Sequence, residues 1–117
     1  MNDIYKLVPP TVANRKELVD LFLRRTQDEV EQMRRNVPAL IRGDVAAWQE
    51  VRFCAQRICG TAKGLELGVL SACAKELGGL ADEKFAGAKL EAHFLLSVTS
   101  AIEMVAIELT RLFRESN

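Results

Sequence analysis

Apolar side chains recur along most of this chain at steps of three and four residues, the spacing of one face of an α-helix. In the first long stretch the apolar positions are Leu18, Leu21, Phe22, Val30, Met33 and Val37. The residues between them are mostly charged, so the pattern predicts an amphipathic helix. Asn14 is a candidate N-cap, with Glu17 at the third position of a capping box. Pro38 should interrupt this helix, because proline removes one backbone hydrogen bond.

A second long helix is predicted from about Val45 to about Gly64. Gly43 ends the preceding helix and Asp44 caps the new one, so only a tight turn connects the two. The apolar stripe of the second helix consists of Trp48, Val51, Ala55, Ile58, Ala62 and Leu65. The residues that fall on its other side are Phe53, Gln56, Gly60 and Lys63.

Two further helices are predicted after this one. The third should run from about Gly68 to Leu77 and end at the pair Gly78 and Gly79. Its inward residues are Leu70, Cys73 and Leu77. Asp82 is the predicted cap of a long final helix. The apolar stripe of that helix is Phe94, Val98, Ala101, Ile102, Val105, Leu109 and Leu112.

The order of these elements predicts the fold class. The sequence shows no strand pattern, internal repeat or low-complexity stretch, and short connections place consecutive helices antiparallel. We therefore expect one all-α domain over residues 1–117, an antiparallel up-down four-helix bundle. Pro9 and Pro10 end a short N-terminal segment, Asp3 to Val8, which is expected to form a helical turn.

Composition and charge narrow the classes of partner. The chain carries 16 basic and 16 acidic residues, so its formal charge gives no electrostatic reason to expect nucleic acid. Its first ten residues lack the basic-then-apolar order of a signal peptide. The least polar stretch, Ala92 to Leu109, contains polar and charged residues that lipid disfavours, which favours a bundle helix. A cytoplasmic protein without membrane contact is expected.

The cysteine and histidine content gives no indication of a metal, a cofactor or catalysis. Cys54, Cys59 and Cys73 are odd in number and form no CxxC pair, which favours reduced thiols in the cytosol. His93 is the only histidine, so a zinc site is not expected. No Ser-His-Asp set or phosphate-binding loop is recognisable, and we do not expect an enzyme.

One stretch of the second long helix resembles a known motif. Residues 55–62, Ala-Gln-Arg-Ile-Cys-Gly-Thr-Ala, resemble the motif of histidine-containing phosphotransfer (HPt) domains, commonly written A-H-x-L-K-G-S-A. The matching positions are Ala55, Gly60 and Ala62, with conservative replacements at Ile58 and Thr61. The turn of Gly43 and Asp44 ahead of Trp48 is similar to the turn before the active-site helix of that family. Together with the order of the helices, the resemblance covers nearly the whole chain.

The resemblance implies an HPt-like bundle and a role in two-component signalling, with a changed phosphoacceptor site. In such domains an exposed histidine accepts a phosphoryl group from a receiver-domain aspartate. A glycine one turn later lets the partner approach, and a lysine helps to neutralise the phosphate. Here Gln56 stands at the histidine position, Cys59 at the lysine position, and Glu66 where a glycine usually follows. An amide nitrogen with a delocalised lone pair cannot accept phosphate.

We therefore expect a pseudo-HPt module that docks the receiver domain of a response regulator, or a histidine kinase, without carrying phosphate. The expected contact face consists of Arg52, Phe53, Gln56, Cys59, Gly60 and Lys63. Two alternatives remain open. One is an active phosphotransfer protein whose acceptor histidine has been mutated to Gln56 or replaced by His93. The other is a helical bundle with an unrelated structural role.

Overall fold

The structure, a computed structural model, describes the backbone of residues 12–116 and the side chains of residues 14–116. Every regular element within this range is a helix, which confirms the predicted all-α class. The helices are α1 (Val12–Arg35), α2 (Val37–Ile41), α3 (Val45–Gly64), α4 (Gly68–Phe85) and α5 (Ala92–Ser116). Four long helices and one short one are compatible with a four-helix bundle. The predicted N-terminal segment, Asp3 to Val8, lies outside the described residues.

The core lies between the long helices and is organised around Trp48 of α3, its largest fully buried side chain. The indole ring stacks on Phe94 of α5, with 6.0 Å between the ring centroids. The indole N–H donates a hydrogen bond to the carbonyl oxygen of Leu40 at 3.0 Å. This bond gives the buried indole N–H the acceptor that it would otherwise lack in the core. Trp48 therefore connects α3 to both α2 and α5.

The predicted bounds and inward face of α3 are confirmed. Trp48, Val51, Ala55, Ile58 and Ala62 are buried, and Leu65 is half-buried. The Asp44 side chain caps the helix by accepting hydrogen bonds from the backbone N–H groups of Ala46 and Ala47. Gly43 has φ 78°, a conformation that glycine adopts without strain, and it forms the tight turn before α3.

The first predicted helix begins earlier than expected and is divided where expected. α1 already includes Val12, so Asn14 lies inside the helix and its prediction as the N-cap is wrong. A capping motif indicates only one possible start of a helix, and the end of a helix commonly differs from such a prediction by one or two residues. The interruption is confirmed, because α1 ends at Arg35 and Asn36 forms a turn. Pro38 lies in the first turn of α2, where its missing N–H breaks no helical hydrogen bond.

The buried face of α1 also differs from the prediction. Leu18 and Leu21 are exposed, by 58% and 66%, whereas Leu23 and Thr26 are buried. The Thr26 hydroxyl donates a hydrogen bond to the carbonyl oxygen of Phe22 at 2.7 Å, so its polar group is satisfied within the helix. The predicted stripe is therefore wrong in the first half of α1 and confirmed in the second half, where Val30 and Met33 are buried.

α4 continues to Phe85, so the prediction that Gly78 and Gly79 end it is wrong. Gly78 is buried against α3, and a Cβ added there would lie 3.5 Å from the Cβ of Ala55. Each glycine weakens a helix by about 1 kcal/mol, but burial of Ala81 one turn later favours continuation. Of the inward residues predicted for this helix, Leu70 and Leu77 are buried and Cys73 is half-buried.

Because α4 is longer, the final helix starts later than predicted. α5 begins at Ala92, so Asp82 lies within α4 and the prediction that it caps α5 is wrong. A turn at Gly87, with φ 107°, leads into a short irregular connection. The predicted stripe of α5 is confirmed, since Phe94, Val98, Ala101, Ile102, Val105 and Leu109 are buried and Leu112 is half-buried.

α5 is long and apolar enough, by length and composition alone, to cross a membrane. Core helices of soluble proteins meet the same criterion, and Phe94, Ile102 and Leu109 are buried against the other helices. α5 is accordingly a helix of the core in this structure.

The long helices do not pack equally well against one another. α3 packs most extensively against α4, α4 packs against α5, and α5 packs against α1, whereas α1 and α3 make few contacts. The seam between α1 and α3 is therefore the open side of the fold.

Candidate docking site

Most residues of the expected contact face lie on the outward side of α3. The Phe53 side chain is 60% exposed, and Gln56, Gly60 and Lys63 are exposed as well. Their steps of three and four residues place them on one face of the helix. The outward face, defined here as Phe53, Gln56, Gly60 and Lys63, is therefore available to a partner.

A shallow depression of about 620 Å³ lies on the first half of this side of α3. Its lining residues are Ala46, Gln49, Glu50, Arg52, Phe53 and Gln56. All of them belong to α3, so no second wall encloses the space within the part of the chain that the structure describes. Small-molecule sites bury most of their ligand in a concave pocket. An open surface of this shape is better suited to a protein partner.

Arg52 is held in place by two residues of α4. Its Nε lies 2.7 Å from Oδ1 of Asp82, and its guanidinium lies 5.0 Å from the centroid of the Phe85 ring. The ion pair balances the arginine charge, and the ring contact adds a cation–π attraction. Sequence reasoning missed Asp82 and Phe85 as neighbours of the site because it ended α4 at Leu77. The four-residue step from Leu77 through Ala81 to Phe85 was the signal available.

Phe53 is supported from one side by a charged cluster. The Arg57 guanidinium lies 5.2 Å from the centroid of the Phe53 ring and forms an ion pair with Glu29 of α1. The ring therefore rests on a cation while most of it stays in solvent. This arrangement confirms the prediction that Phe53 lies outside the core.

Cys59 occupies the edge of the outward face and not its centre. Its Sγ lies 3.5 Å from Oγ of Ser71 in α4, and the same hydroxyl donates to the Cys59 carbonyl oxygen at 3.0 Å. The half-buried thiol therefore points towards α4.

The other two cysteines are also free thiols. Burial, followed by the neighbouring Glu50 carboxylate, raises the pKa of Cys54 to about 12, and burial raises the pKa of Cys73.

Gln56 projects into solvent at the middle of the outward face. No side-chain hydrogen bond joins its amide to another residue of the described range 14–116. Lys63 is two turns further along α3, roughly 10 Å along the axis at 1.5 Å per residue. At that separation in water, the attraction between the Lys63 ammonium group and a phosphoryl group at position 56 would be largely screened. Lys63 therefore does not substitute at close range for the lysine of the HPt motif.

Gly60 has no role in packing within the described chain. A Cβ added to it would meet no atom within 4 Å, although it lies inside a helix, where glycine costs about 1 kcal/mol relative to alanine. The absence of a side chain leaves bare backbone one turn after Gln56. That surface would allow a partner to approach α3 closely.

His93 lies elsewhere, at the start of α5, with its side chain 82% exposed and Nδ1 3.7 Å from a carboxylate oxygen of Glu91. It does not line the depression on α3. Among the described residues, no three histidine, cysteine, aspartate or glutamate side chains lie together so that they could hold a metal ion.

Comparisons of the chain with known protein families, with curated proteins and with solved structures find no match. The sequence motif of residues 55–62 and the position of its residues on α3 are therefore the basis for any functional proposal.

Proposed function

We propose that this protein is an HPt-like interaction module of cytoplasmic two-component signalling. It docks a receiver domain or a histidine kinase and does not itself accept phosphate. In this proposal the four long helices form an antiparallel up-down bundle that presents α3. The observation that carries the proposal is the exposure of Gln56 between Phe53, one turn before it, and Gly60, one turn after it.

The chemistry of the site favours docking over phosphotransfer. The side-chain amide of Gln56 has no nucleophilic lone pair, and Arg52 is already paired with Asp82. The module would therefore act by occupancy, either competing with a true phosphotransfer protein or holding its partner in one state.

Two features of the outward face support a protein partner. An exposed aromatic ring such as Phe53 can supply much of the binding energy when a partner buries it. Gly60 is an unfavourable residue inside a helix, and packing within the described chain does not require it. A requirement for close approach by another protein would explain why it is there.

The first experiment compares the chain with Gln56→His against a panel of receiver domains and histidine kinases. Binding would be measured by titration calorimetry, and phosphoryl transfer with labelled phosphate. We expect the unaltered chain to bind at least one partner and to remain unphosphorylated. Gln49→His is the matched control, because it places a histidine on the same depression but outside the motif. Phosphate on the unaltered chain would instead support an active protein that uses another residue, such as His93.

A second experiment tests the contact face directly. Gly60→Gln adds a side chain where the described structure leaves open space, so it should preserve or slightly raise stability. We expect it to weaken partner binding at least tenfold, about 1.4 kcal/mol. Ser100→Gln, at an exposed position on α5, is the control and should leave affinity unchanged. Binding that survives Gly60→Gln at full strength would exclude this face as the docking surface.

A further inference from the structure

The open side of the fold exposes an apolar groove between the N-terminal half of α1 and the C-terminal half of α3, the α1–α3 groove. Its volume is about 360 Å³, and its apolar lining includes Leu18, Leu21, Phe22 and Leu65. Leu18 and Leu21 are 58% and 66% exposed, so they lie on the solvent side of the groove. Because removing apolar surface from water is favourable, a partner helix that covered these leucines would be stabilised there.

The charges around the exposed leucines indicate which partner fits. Glu17, Leu21 and Arg25 follow one another at steps of four residues, so they lie along one side of α1. Along the helix axis, Glu17 lies about 6 Å before Leu21 and Arg25 about 6 Å after it. Both charged side chains are exposed, and the ion pairs found within residues 14–116 include neither of them. We call Glu17, Leu18, Leu21 and Arg25 the α1 patch.

The order of charges in the α1 patch is self-complementary under a two-fold axis. In a symmetric dimer, residue i of one copy contacts residue j of the other, and residue j contacts residue i. Two antiparallel copies of α1 with Leu21 at the axis would place Glu17 of each copy opposite Arg25 of the other. Two ion pairs would then flank a contact between leucines, whereas a parallel arrangement in register would oppose like charges.

The same register covers the second exposed leucine of the α1 patch. Leu18 would lie opposite Arg24 of the second copy, which is exposed on α1. The aliphatic stem of an arginine can cover apolar surface while its guanidinium stays in water. The antiparallel arrangement therefore shields both leucines and leaves each of the charged groups in solvent or paired.

Another exposed apolar row, on α5, lacks this complementarity. It consists of Leu96, Met104 and Ile107. The charged residues beside it, Glu103 and Arg111, already form ion pairs within their own chain. Charge complementarity therefore favours the α1 patch as the surface for a second copy.

We propose that the α1 patch is a self-association surface, at which a second copy of this chain packs its α1 antiparallel along the α1–α3 groove. The reciprocal pairs of Glu17 with Arg25 set the register, and the leucines supply the apolar contact. The stretch from Glu17 to Arg25 is only about 12 Å long, so the interface belongs to the weak class that buries less than roughly 1,200 Å². The inference is independent of the proposed docking function, because it uses no residue of the outward face of α3.

Sedimentation equilibrium of the full chain measures the self-association. We expect the apparent mass to rise from the chain mass of 13.0 kDa towards twice that value as the protein concentration approaches about 1 mM. Because the ion pairs lie at the surface, raising the salt concentration should weaken the dimer. A chain that stays monomeric at about 1 mM would overturn the proposal and leave the α1 patch to a different partner.

Charge reversal tests the register. Glu17→Arg and Arg25→Glu each oppose like charges in the homodimer, so we expect each variant alone to dimerise at least tenfold more weakly. An equimolar mixture of the two variants opposes unlike charges at both positions and should restore the dimer. Glu76→Arg, at an exposed position on α4, is the control and should dimerise like the unaltered chain. A mixture that associates no better than either variant alone would overturn the antiparallel arrangement.

A matched pair of leucine variants tests the apolar contact. Leu21→Ser should weaken the dimer at least tenfold, whereas Leu96→Ser on α5 should leave it unchanged. The two leucines are exposed to nearly the same extent, 66% and 65%, so the loss of apolar surface is comparable. A dimer that is weakened by Leu96→Ser and not by Leu21→Ser would overturn the proposal in favour of an interface on α5.

Discussion

The inward face of α3 is buried from Trp48 to Ala62, whereas its outward face leaves Phe53, Gln56 and Lys63 in solvent. The two faces share one backbone and one N-cap, so the difference between them arises from what each side chain touches. Packing restricts the size and shape of the inward residues. Close packing does not restrict the outward residues, so these positions can carry residues suited to binding a partner. Changes on the inward face should alter stability, and changes on the outward face should alter partner affinity.

The largest effect is expected for Trp48→Ala. This change removes a fully buried ring, its stacking on Phe94 and the hydrogen bond to the Leu40 carbonyl. We expect the free energy of unfolding to fall by about 3–5 kcal/mol, as in other buried aromatic-to-alanine changes. Guanidinium titration followed by far-ultraviolet circular dichroism measures it.

Phe53→Ala is the matched control for that measurement on the other face. Its ring is 60% exposed and contacts Arg57 only at one side, so the expected cost is at most about 1 kcal/mol. If Phe53→Ala and Trp48→Ala lowered the free energy of unfolding by similar amounts, the two faces of α3 would not differ in their contribution to stability.

A second, smaller effect should follow from enlarging Ala55. Its side chain is fully buried and close to Gly78 at the contact of α3 with α4. Ala55→Leu should force the two helices apart and destabilise the protein by about 1–3 kcal/mol. The neighbouring change Gln56→Leu adds a similar side chain on the outward face and should shift the unfolding midpoint little. A tolerated Ala55→Leu would show that this contact is looser than the structure describes.

α3 could be predicted well from the sequence because local chemistry marks its ends. Gly43 and Asp44 identify the turn and the cap, and the apolar stripe that follows is uninterrupted. α4 could not, because the glycine rule is local whereas the burial of Gly78 against α3 depends on the tertiary fold. The same limitation affected α1, where Thr26 is buried after satisfying its hydroxyl within its own helix.

The candidate site was predictable to a similar extent. Helical periodicity alone predicted that Phe53 and Gln56 share an exposed face, and the structure places them there. It did not predict that Asp82 and Phe85 hold Arg52, because that contact requires the correct end of α4. Side chains that belong to one element were therefore easier to predict than contacts between two.

Asp44→Ala should produce a still smaller effect that is common to both faces. The carboxylate accepts hydrogen bonds from Ala46 N at 2.9 Å and Ala47 N at 3.2 Å, groups that have no partner within the helix. Loss of such a cap typically costs about 1 kcal/mol. Asp44→Asn keeps an acceptor and should retain most of the stability in the same denaturant titration. If both variants lost equal stability, the cap hydrogen bonds would not be the cause.

The smallest expected effect on the free energy of unfolding concerns an exposed ion pair between α1 and α5. Arg34 of α1 binds Glu103 of α5 through two hydrogen bonds, Nε to Oε2 at 2.7 Å and Nη2 to Oε1 at 2.6 Å. The hydrogen bonds from Arg34 lower the pKa of the Glu103 carboxyl below its usual value. Because both side chains are substantially exposed, solvent screening limits the contribution to less than about 1 kcal/mol.

The sign of the pH dependence follows from that lowered pKa. The stabilisation is fully present above the usual carboxyl pKa of about 4.3 and is lost as pH falls through the lower pKa of the folded state. Glu103→Gln should therefore be less stable than the unaltered chain at pH 7, and the difference should vanish in acid. A Glu103→Gln loss as large as that of Trp48→Ala would mean that exposed contacts rival the core, which would contradict the separation of the two faces of α3.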